Sequence, residues 1–318
     1  MPLKSSICTI TLIPLCPPKQ ARVPTALALG SFDGLHAGHR RVINEIVKDG
    51  KGIPTVVSFW PHPREVLYGE QRLRLDLPSE KTELLGPLGV EQLVLVPFDH
   101  SLAALSPEEF VDQILVQTLK AKKIAVGANF RFGKNRQGDA QRLKELASHA
   151  NIDIVILPII EDSQGRISSS RIRNALNEGD LESAKKFMGR PFKFRGQVVE
   201  GKGIGRKIGW PTANLQVDGR KFLPGIGVYA AWAFLNESKT PLPAVMNLGP
   251  QPTVDPNSPS CVEVHLLNQQ LDLRGKGLIV QPIKRLRSQK RFEGLNALSK
   301  QISNDAKMAE LILQSTKV

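Results

Sequence analysis

The first half of the chain alternates short apolar runs with amphipathic segments. From Ala26 onward, the apolar runs ALALGS, IPTVVSFW, EQLVLVPF, KIAVGANF and IDIVILPII predict β-strands. Helices are predicted from about Ala37, through PEEFVDQILVQTL and through DAQRLKELASHA. This alternation indicates a parallel, doubly wound α/β sheet of Rossmann-like type. Such sheets bind ligands beyond the carboxyl ends of their strands, so chemistry is expected in the loops that leave these strands.

The second half shows a different pattern. The segment SSSRIRNALNEGDLESAKKFMG predicts two short helices separated at Gly179, and then the alternation stops. Further strands are predicted at FKFRGQVV, GVYAAWAF, PAVMNLG, CVEVHLL and GLIVQPIK. Strands in series indicate an antiparallel barrel or sandwich. A last helix, from about Arg291 to Gln314, is expected to close one side with an apolar stripe of Phe292, Leu295, Leu298, Ile302, Ala306 and Ala309.

The change of pattern divides the 318 residues into two predicted domains. We expect a nucleotide-binding α/β domain over residues 16–187 and a β-barrel domain over residues 188–318. Residues 1–15 fit neither pattern and are predicted to be a disordered extension.

Composition narrows the class of protein. Hydrophobic residues make up 41% of the chain, and no apolar run approaches the ~20 residues of a transmembrane helix, which argues against a membrane protein. Cys8, Cys16 and Cys261 are too few and too scattered for a disulfide framework or a four-ligand zinc site. Reduced thiols and a cytoplasmic location are therefore expected.

The net charge of +13 lies mostly in the second predicted domain. Residues up to 187 contain 24 basic and 21 acidic side chains, and those after it contain 19 and 9. Positive potential attracts nucleic acids, membrane surfaces and small polyanions alike, so charge alone does not choose among these partners.

A glycine- and histidine-rich segment, GSFDGLHAGH, follows the first predicted strand. His36 and His39, separated by Ala-Gly at a strand-to-helix turn, can both face a ligand near the positive helix N-terminus. A triphosphate suits that position, since imidazole donors and helix amides stabilise charge on transferring phosphates. An isolated pair of this kind more often caps a helix, and a metal site would lack a third ligand.

The whole decapeptide resembles the GxFDGxHxGH signature of the nucleotidyltransferase superfamily, in particular its bacterial FAD synthetase branch. The resemblance implies transfer of an adenylyl group from ATP to FMN, with His36 and His39 as catalytic residues. It also implies ATP contacts from Gly30, Phe32, Asp33, Gly34 and Gly38. The segment ISSSRIR resembles the ISSTxIR motif of the same branch and implies phosphate contacts from Ser168, Ser169 and Arg173.

Two further segments, VSFWPHP and VGANFRFGK, agree with that branch, and both leave predicted strands. Asn129 could bond a nucleotide or flavin, and Phe59 or Phe130 could stack on a ring. The aromatic side chains could equally well pack the strand ends. Flavin contacts are accordingly expected from Phe59, Pro61, Asn129 and Phe130.

A second group of candidate functional residues lies in the segment GKGIGRKIGWPTAN. It differs from the nucleoside-triphosphate loop GxxxxGK[ST], but it reads as a loop whose amides and cations could surround phosphate. The Thr212 hydroxyl and the Asn214 amide oxygen could ligate Mg²⁺. In the segment CVEVHLL, alternation puts Glu263 and His265 on one face of a strand, where an ordinary glutamate often makes a surface ion pair.

Together these segments resemble the bacterial riboflavin kinase domain, which phosphorylates riboflavin to FMN. The resemblance implies that Thr212 and Asn214 hold Mg-ATP and that Glu263 is the catalytic base. Arg287 is expected to contact the flavin through a ligand phosphate, and a surface role is the equal alternative. Gly203, Gly205 and Arg206 are expected to contact ATP. Asn268, Gln251 and Arg274 depart from the residues usual in the family. These departures could alter flavin affinity or loop closure, but they spare Thr212, Asn214 and Glu263.

The sequence therefore predicts a bifunctional enzyme that uses riboflavin, FMN, ATP and Mg²⁺, and it predicts neither a nucleic-acid nor a membrane partner; self-association is left open. One alternative is an RNA-associated protein with a basic C-terminal domain, although three tryptophans, two tyrosines and twelve phenylalanines provide few stacking platforms. In another alternative, one domain is a regulatory or structural relic.

Overall fold

Two compact units make up the fold of the computed structural model, which describes residues 12–201, 204–207, 209–235, 238, 240–249, 262–269 and 271–316. One unit holds the chain up to Arg72 together with Asp76–Ile167. The other holds Leu73–Leu75 and the chain from Ser168 onward. Among the described residues, no helix is both long and apolar enough to cross a membrane.

The first unit is built on a six-stranded sheet in the order β1-β4-β3-β2-β5-β8. All its neighbouring strands are parallel. The strands of this sheet are β1 (Leu15–Cys16), β2 (Thr25–Leu29), β3 (Ile53–Trp60), β4 (Gln92–Pro97), β5 (Ala121–Gly127) and β8 (Asp153–Leu157). Two small antiparallel pairs are formed by β6 (Arg131–Phe132) with β7 (Gly138–Asp139) and by β9 (Glu161–Asp162) with β10 (Gly165–Arg166).

Helices cover both faces of this sheet. They are α1 (Ala37–Val47), α2 (Pro63–Tyr68), α3 (Pro78–Leu85), α4 (His100–Ala104), α5 (Pro107–Phe110) with a π-helical continuation (Val111–Thr118), and α6 (Ala140–His149). On β2, Leu27 and Leu29 join the core beneath α6, while Ala26 and Ala28 join the core beneath α1. Because alternate residues of one strand are buried on opposite faces, the sheet is doubly wound, as predicted.

The second unit is a closed antiparallel barrel in the order β11-β12-β15-β14-β13-β16. Its strands are β11 (Phe194–Val199), β12 (Ala213–Val217), β13 (Gly227–Leu235), β14 (Leu242–Leu248), β15 (Val262–Leu266) and β16 (Gly277–Arg287). Its helices are α7 (Ser169–Glu178), α8 (Leu181–Met188), the short α9 (Ile204–Lys207) and the terminal α10 (Leu295–Gln314). The fold class predicted from the sequence is confirmed.

Helices α7 and α8 are separated at Gly179, as predicted. Gly179 is the C-cap of α7 and has the left-handed conformation with φ 77°. A Cβ atom there would lie 2.6 Å from the Arg285 side chain on β16. The Gly225 amide donates to the Leu176 carbonyl at 2.9 Å. Both helices belong to the same compact unit as the barrel. The domain boundary predicted at residues 187 and 188 stays a prediction.

The structure departs from the sequence expectations in three places. Residues 1–11 lie outside the described residues, but Ile13 is buried in the core and Leu15 begins β1, so the expected extension does not reach residue 15. Strand β12 lies where the sequence predicts no strand, because its first two residues belong to the predicted glycine-rich loop and only three residues follow before it ends. The stripe on α10 is wrong at its start, since Leu295 is 56% exposed and the buried face begins at Asp305.

Candidate active sites

The segment with His36 and His39 leaves β2 at the point where the order of the strands in the sheet reverses. Strands β3 and β5 flank β2, and the chain runs outward from β2 on both sides. That reversal opens the crevice where doubly wound sheets bind their ligands. Phe32, Gly34 and Leu35 all have positive φ, of 46°, 83° and 43°. The loop is therefore held in an uncommon conformation by its surroundings.

Asp76 stabilises this loop through two hydrogen bonds. It is 2% exposed, and its carboxylate accepts from the Gly34 amide at 3.0 Å, while its own amide donates to the Asp33 carboxylate at 3.2 Å. Lys81, which is also buried, donates to the Ser31 carbonyl at 2.6 Å. The Gly34 amide thus serves the fold in this structure, and its contact with phosphate stays a prediction.

His36 and His39 lie face to face at the start of α1. Their ring centroids are 3.7 Å apart with an interplanar angle of 20°, and His36 is the N-cap of the helix. Both Nδ1 atoms are buried without a hydrogen-bond partner among the described residues. A Cβ atom on Gly38 would lie 3.1 Å from the His36 ring, and Phe32, only 1% exposed, packs 5.2 Å from His39. Phe32 therefore supports the pair from the core.

Both rings are uncharged near neutral pH. Burial, assisted by Arg166 and Arg40, lowers the pKa of His36 to about 4. Burial, followed by His36 and the cations Lys81 and Arg166, lowers the pKa of His39 well below its usual value. A neutral imidazole keeps one N–H donor and one acceptor, so the pair can donate hydrogen bonds to phosphate without carrying charge itself.

The positive charge at this site comes from side chains that sequence reasoning missed. Besides burial, the charge of Arg166 acts on both histidines and lowers their pKa. When the Asn129 side-chain amide is oriented with its oxygen toward Arg166, that oxygen accepts hydrogen bonds from the guanidinium at 2.7 and 3.1 Å. The position of Arg166, directly before the ISSSRIR segment, was the available signal. Asp76 and Lys81 lie in a stretch without a motif, so nothing in the sequence singled them out.

Phe59 and Phe130, the aromatic residues expected to contact flavin, belong to a row of rings that continues through Phe110 and Phe132. Phe59 packs 6.3 Å from Phe110, Phe110 lies 5.6 Å from Phe132, and Phe130 stacks on Phe132 at 5.6 Å. Phe59 and Phe130 are half-buried against the core, and Pro61 is exposed. The row borders the carboxyl ends of β3 and β5, on either side of β2. A flavin contact for these residues stays a prediction, since each also packs a strand end.

The serine-rich segment starts α7 in the second unit. Ser168 is the N-cap of the helix, and its side chain accepts from the Arg171 amide at 3.4 Å. Ser169 is half-buried in the first turn. Arg173 donates to the Leu73 carbonyl at 3.3 Å and lies 5.9 Å from the Phe222 ring. Capping accounts for Ser168 locally, and phosphate binding by these three residues stays a prediction.

The barrel brings the predicted kinase residues onto neighbouring strands. Asn214 on β12 is the register partner of Glu263 on β15, and Glu263 in turn pairs with Asn247 on β14. Val262 and Val264 are buried, whereas Asn214, Glu263 and Asn247 are half-buried, so these three share the polar face. The Asn247 amide donates to Glu263 Oε2 at 3.4 Å, and Gln289 donates to the Asn247 oxygen at 3.1 Å.

The glycines of the preceding segment make room for this face. A Cβ atom on Gly201 would overlap the Asn214 amide, and one on Gly205 would overlap the Trp210 carbonyl. Arg206 is exposed on the short helix α9, and Thr212 is exposed immediately before β12. Gly203 lies outside the described residues. Asn214 belongs to a strand rather than to the expected loop, which fixes its position relative to Glu263.

Arg287 is engaged inside the protein. Its Nε lies 3.0 Å from both carboxylate oxygens of Asp305 on α10, and its Nη2 lies 2.8 Å from Asp305 Oδ2. The two side chains are 15% and 3% exposed. This guanidinium therefore ties α10 to the barrel, while its proposed contact with flavin stays a prediction.

Comparison with known proteins matches the two parts of the chain to two different families. The family model for FAD synthetase matches residues 19–171, and that for riboflavin kinase matches residues 188–313. A bifunctional riboflavin kinase/FMN adenylyltransferase from Escherichia coli K12 is 37% identical over 295 residues, covering 92% of this chain and 93% of that protein. The chain belongs to the bifunctional riboflavin kinase/FMN adenylyltransferase family. The Bacillus subtilis member is 34% identical over 301 residues, which cover 92% of this chain and 93% of that protein.

Among solved structures, a protein described as a macrolide-efflux protein from Streptococcus pneumoniae has a similar fold. It superposes with a TM-score of 0.81 at 29% sequence identity, covering 94% of this chain and 98% of that one. The likeness extends over both units, so the pairing of a doubly wound sheet with a closed barrel is shared with that protein.

Proposed function

We propose that the N-terminal module transfers the adenylyl group of ATP to FMN, and that the C-terminal module phosphorylates riboflavin. Family membership supports the two activities and their order along the chain. The single observation that carries the assignment of residues is the stacked, neutral pair of His36 and His39 at a helix N-terminus and at the switch point of the sheet.

In the adenylyl transfer, a phosphate oxygen of FMN attacks the α-phosphorus of ATP and pyrophosphate leaves. Negative charge grows on the α-phosphate and on the leaving group. His36 and His39 each provide an N–H donor for this charge, and Arg166 contributes a fixed positive charge. Neutral rings suit this role because the donors are retained and no proton need be lost or gained. No covalent enzyme intermediate is required.

In the kinase reaction, the 5′-hydroxyl of the ribityl chain attacks the γ-phosphorus of ATP and ADP leaves. Glu263 accepts the hydroxyl proton, and Asn247 orients its carboxylate through the 3.4 Å hydrogen bond. The half-buried carboxylate lies on the same face as Asn214. The proposed base and the residue proposed to bind Mg-ATP therefore lie on directly paired strands. Glu263 thereby supplies the proton acceptor and Asn214 part of the ATP site.

Mg²⁺ fits the donors available here. A hydroxyl and an amide oxygen, from Thr212 and Asn214, are hard ligands of the kind that Mg²⁺ accepts alongside water and phosphate oxygens. The space beside Asn214 exists because position 201 lacks a side chain. When bound, the ion neutralises charge on the β- and γ-phosphates. Gly203, Gly205 and Arg206 are proposed as further contacts to ATP in the kinase reaction. Ser168, Ser169 and Arg173 are proposed instead as contacts to the ATP phosphates in the adenylyl transfer.

The expected cellular setting is the cytoplasm, with riboflavin, FMN and ATP as small-molecule partners. The Cys16 thiol is free, which is compatible with a reducing compartment.

The test is incubation with riboflavin and Mg-ATP, followed by chromatographic separation of riboflavin, FMN and FAD. Glu263→Gln is expected to abolish FMN formation while leaving conversion of supplied FMN to FAD. His39→Ala is expected to stop FAD formation while FMN accumulates. If either substitution removed both activities from a folded protein, the assignment of two separate sites would be wrong.

A further inference from the structure

His265 makes a polar contact with the residue that immediately precedes Thr212. It lies on β15, two residues beyond Glu263, and its Nδ1 is 2.7 Å from the Pro211 carbonyl oxygen. A carbonyl oxygen can only accept, so Nδ1 carries the proton and donates. Pro211 immediately precedes Thr212, and the regular pairing of β12 begins only at Ala213.

The same stretch is also held by α10. Trp210 meets the His265 ring edge-on, with centroids 5.1 Å apart. Its indole Nε1 donates to the Ser299 hydroxyl at 3.2 Å. The Trp210 amide also donates to the Gly205 carbonyl at 2.8 Å. Trp210 and Pro211 are thus fixed by a strand, a helix and the preceding turn.

The register of the barrel gives this contact its meaning. Residues 263 and 265 lie on the same face of β15, because side chains alternate along a strand. Glu263 pairs directly with Asn214, and His265 binds the carbonyl just before Thr212. One strand therefore carries both the proposed base and the donor that holds the approach to Thr212. A shift of the Pro211–Thr212 peptide would move the Thr212 hydroxyl while leaving Asn214 in its strand.

We propose that His265 is a positioning residue of the riboflavin kinase reaction. Its Nδ1–H fixes the Pro211 carbonyl and thereby places the Thr212 hydroxyl for Mg-ATP relative to Glu263. The inference rests on the proposed roles of Thr212 and Glu263. Since misplacement of a binding group by about 1 Å can cost up to a hundredfold in rate, loss of this hydrogen bond is expected to cost roughly tenfold or more.

The test compares three substitutions in the full-length protein. The amide nitrogen of asparagine can occupy the place of Nδ1, whereas that of glutamine extends toward the place of Nε2. We expect His265→Ala and His265→Gln to raise the KM for Mg-ATP in the kinase reaction roughly tenfold, with a smaller change in kcat. His265→Asn is expected to restore KM to within about threefold of the wild-type value, because it retains the donor.

Two controls and one further substitution separate positioning from other roles. FMN adenylylation by the same chain should be unchanged in all three variants, and its thermal unfolding transition shows whether each variant is folded. Ser299→Ala removes the hydrogen-bond partner of the Trp210 indole on α10 and should raise the same KM by a smaller factor.

The result that would overturn the proposal is a wild-type KM in His265→Ala, or equal impairment of the alanine and asparagine variants. A loss confined to kcat, with a changed pH profile, would make His265 a proton-transfer group instead. Glu263→Gln measured in parallel tests the underlying site. If that variant still phosphorylates riboflavin, the proposed function of the site fails together with the inference; if it is inactive and His265→Ala is normal, only the inference fails.

Discussion

The ion pair between Arg287 and Asp305 allows a quantitative prediction about the barrel module. Three nitrogen–oxygen distances of 2.8 to 3.0 Å join the two side chains, and Gln301 adds a donor to Asp305 at 2.9 Å. Asp305 is 3% exposed, so removal of the guanidinium leaves a carboxylate away from water. Removing one partner of such a pair costs about 3–5 kcal/mol, which is a large share of the 5–15 kcal/mol that stabilises a typical domain.

Arg287→Met should therefore lower the free energy of unfolding by about 3–5 kcal/mol. Combining it with Asp305→Asn, which removes the buried charge while keeping the shape, should recover at least half of that loss. The assay is urea unfolding followed by the fluorescence of Trp210 and Trp232, in a Trp60→Phe background that silences the other unit. Arg274→Met is the matched control, because its pair with Asp272 is 72% and 65% exposed, and little change is expected.

The double variant also separates the structural role of Arg287 from its predicted contact with flavin. If the guanidinium only anchors α10, the double variant should regain both stability and the wild-type KM for riboflavin. Recovered stability with a raised KM would support the flavin contact. The buried-charge reasoning would be refuted by a loss below about 1 kcal/mol in Arg287→Met, or by a double variant less stable than the single one.

Three further predictions concern the two sites. Gly201→Ala should raise the kinase KM for Mg-ATP roughly tenfold, since its Cβ would overlap the Asn214 amide, and an unchanged KM would contradict this. Asn247→Ala should lower kinase kcat roughly tenfold with little change in the KM for riboflavin, because Glu263 loses its orienting donor. Because burial lowers the pKa of His36 from 6.5 to about 4, the folded state resists protonation, so the stability of its unit should be complete above pH 6.5 and fall as the pH approaches 4. His36→Asn should make that part of the stability profile measured by urea unfolding less steep, while the buried His39 keeps a remaining slope. An unaltered profile would rule this cause out.

Much of the fold was predictable because it rests on local patterns. The buried run in β3 and the helical spacing in α1 each report their own burial, and both elements appear where they were expected. Strand β12 escaped prediction because glycine and proline dominate the preceding residues and mask its short alternation. The burial of Asp305 in α10 is the clearest feature that the helical pattern does not predict, since it depends on a partner 18 positions earlier, Arg287 on β16. No periodicity within one helix can reveal that partner.

For the sites, motif residues were found but their supports were not. His36 and His39 carry a recognisable spacing, whereas Asp76 and Lys81 reach the same loop from about 40 and 50 positions away. Likewise, Glu263 was identified by its motif, but its contact with Asn247 follows from strand pairing. Long-range hydrogen bonds of this kind leave no regular signature in a single sequence, because either partner could serve many others.

The sequence by itself determined the two-part architecture, the family and the reactive groups, because periodicity and motifs are properties of neighbouring residues. Tertiary structure decided the charge state of the histidines, since neutrality arises from burial and from Arg166 more than 120 positions away. It also decided that Glu263, Asn214 and Asn247 share one face, since register between strands aligns them. Chemical identity is thus written locally, whereas protonation and geometry depend on segments that meet only in the folded chain.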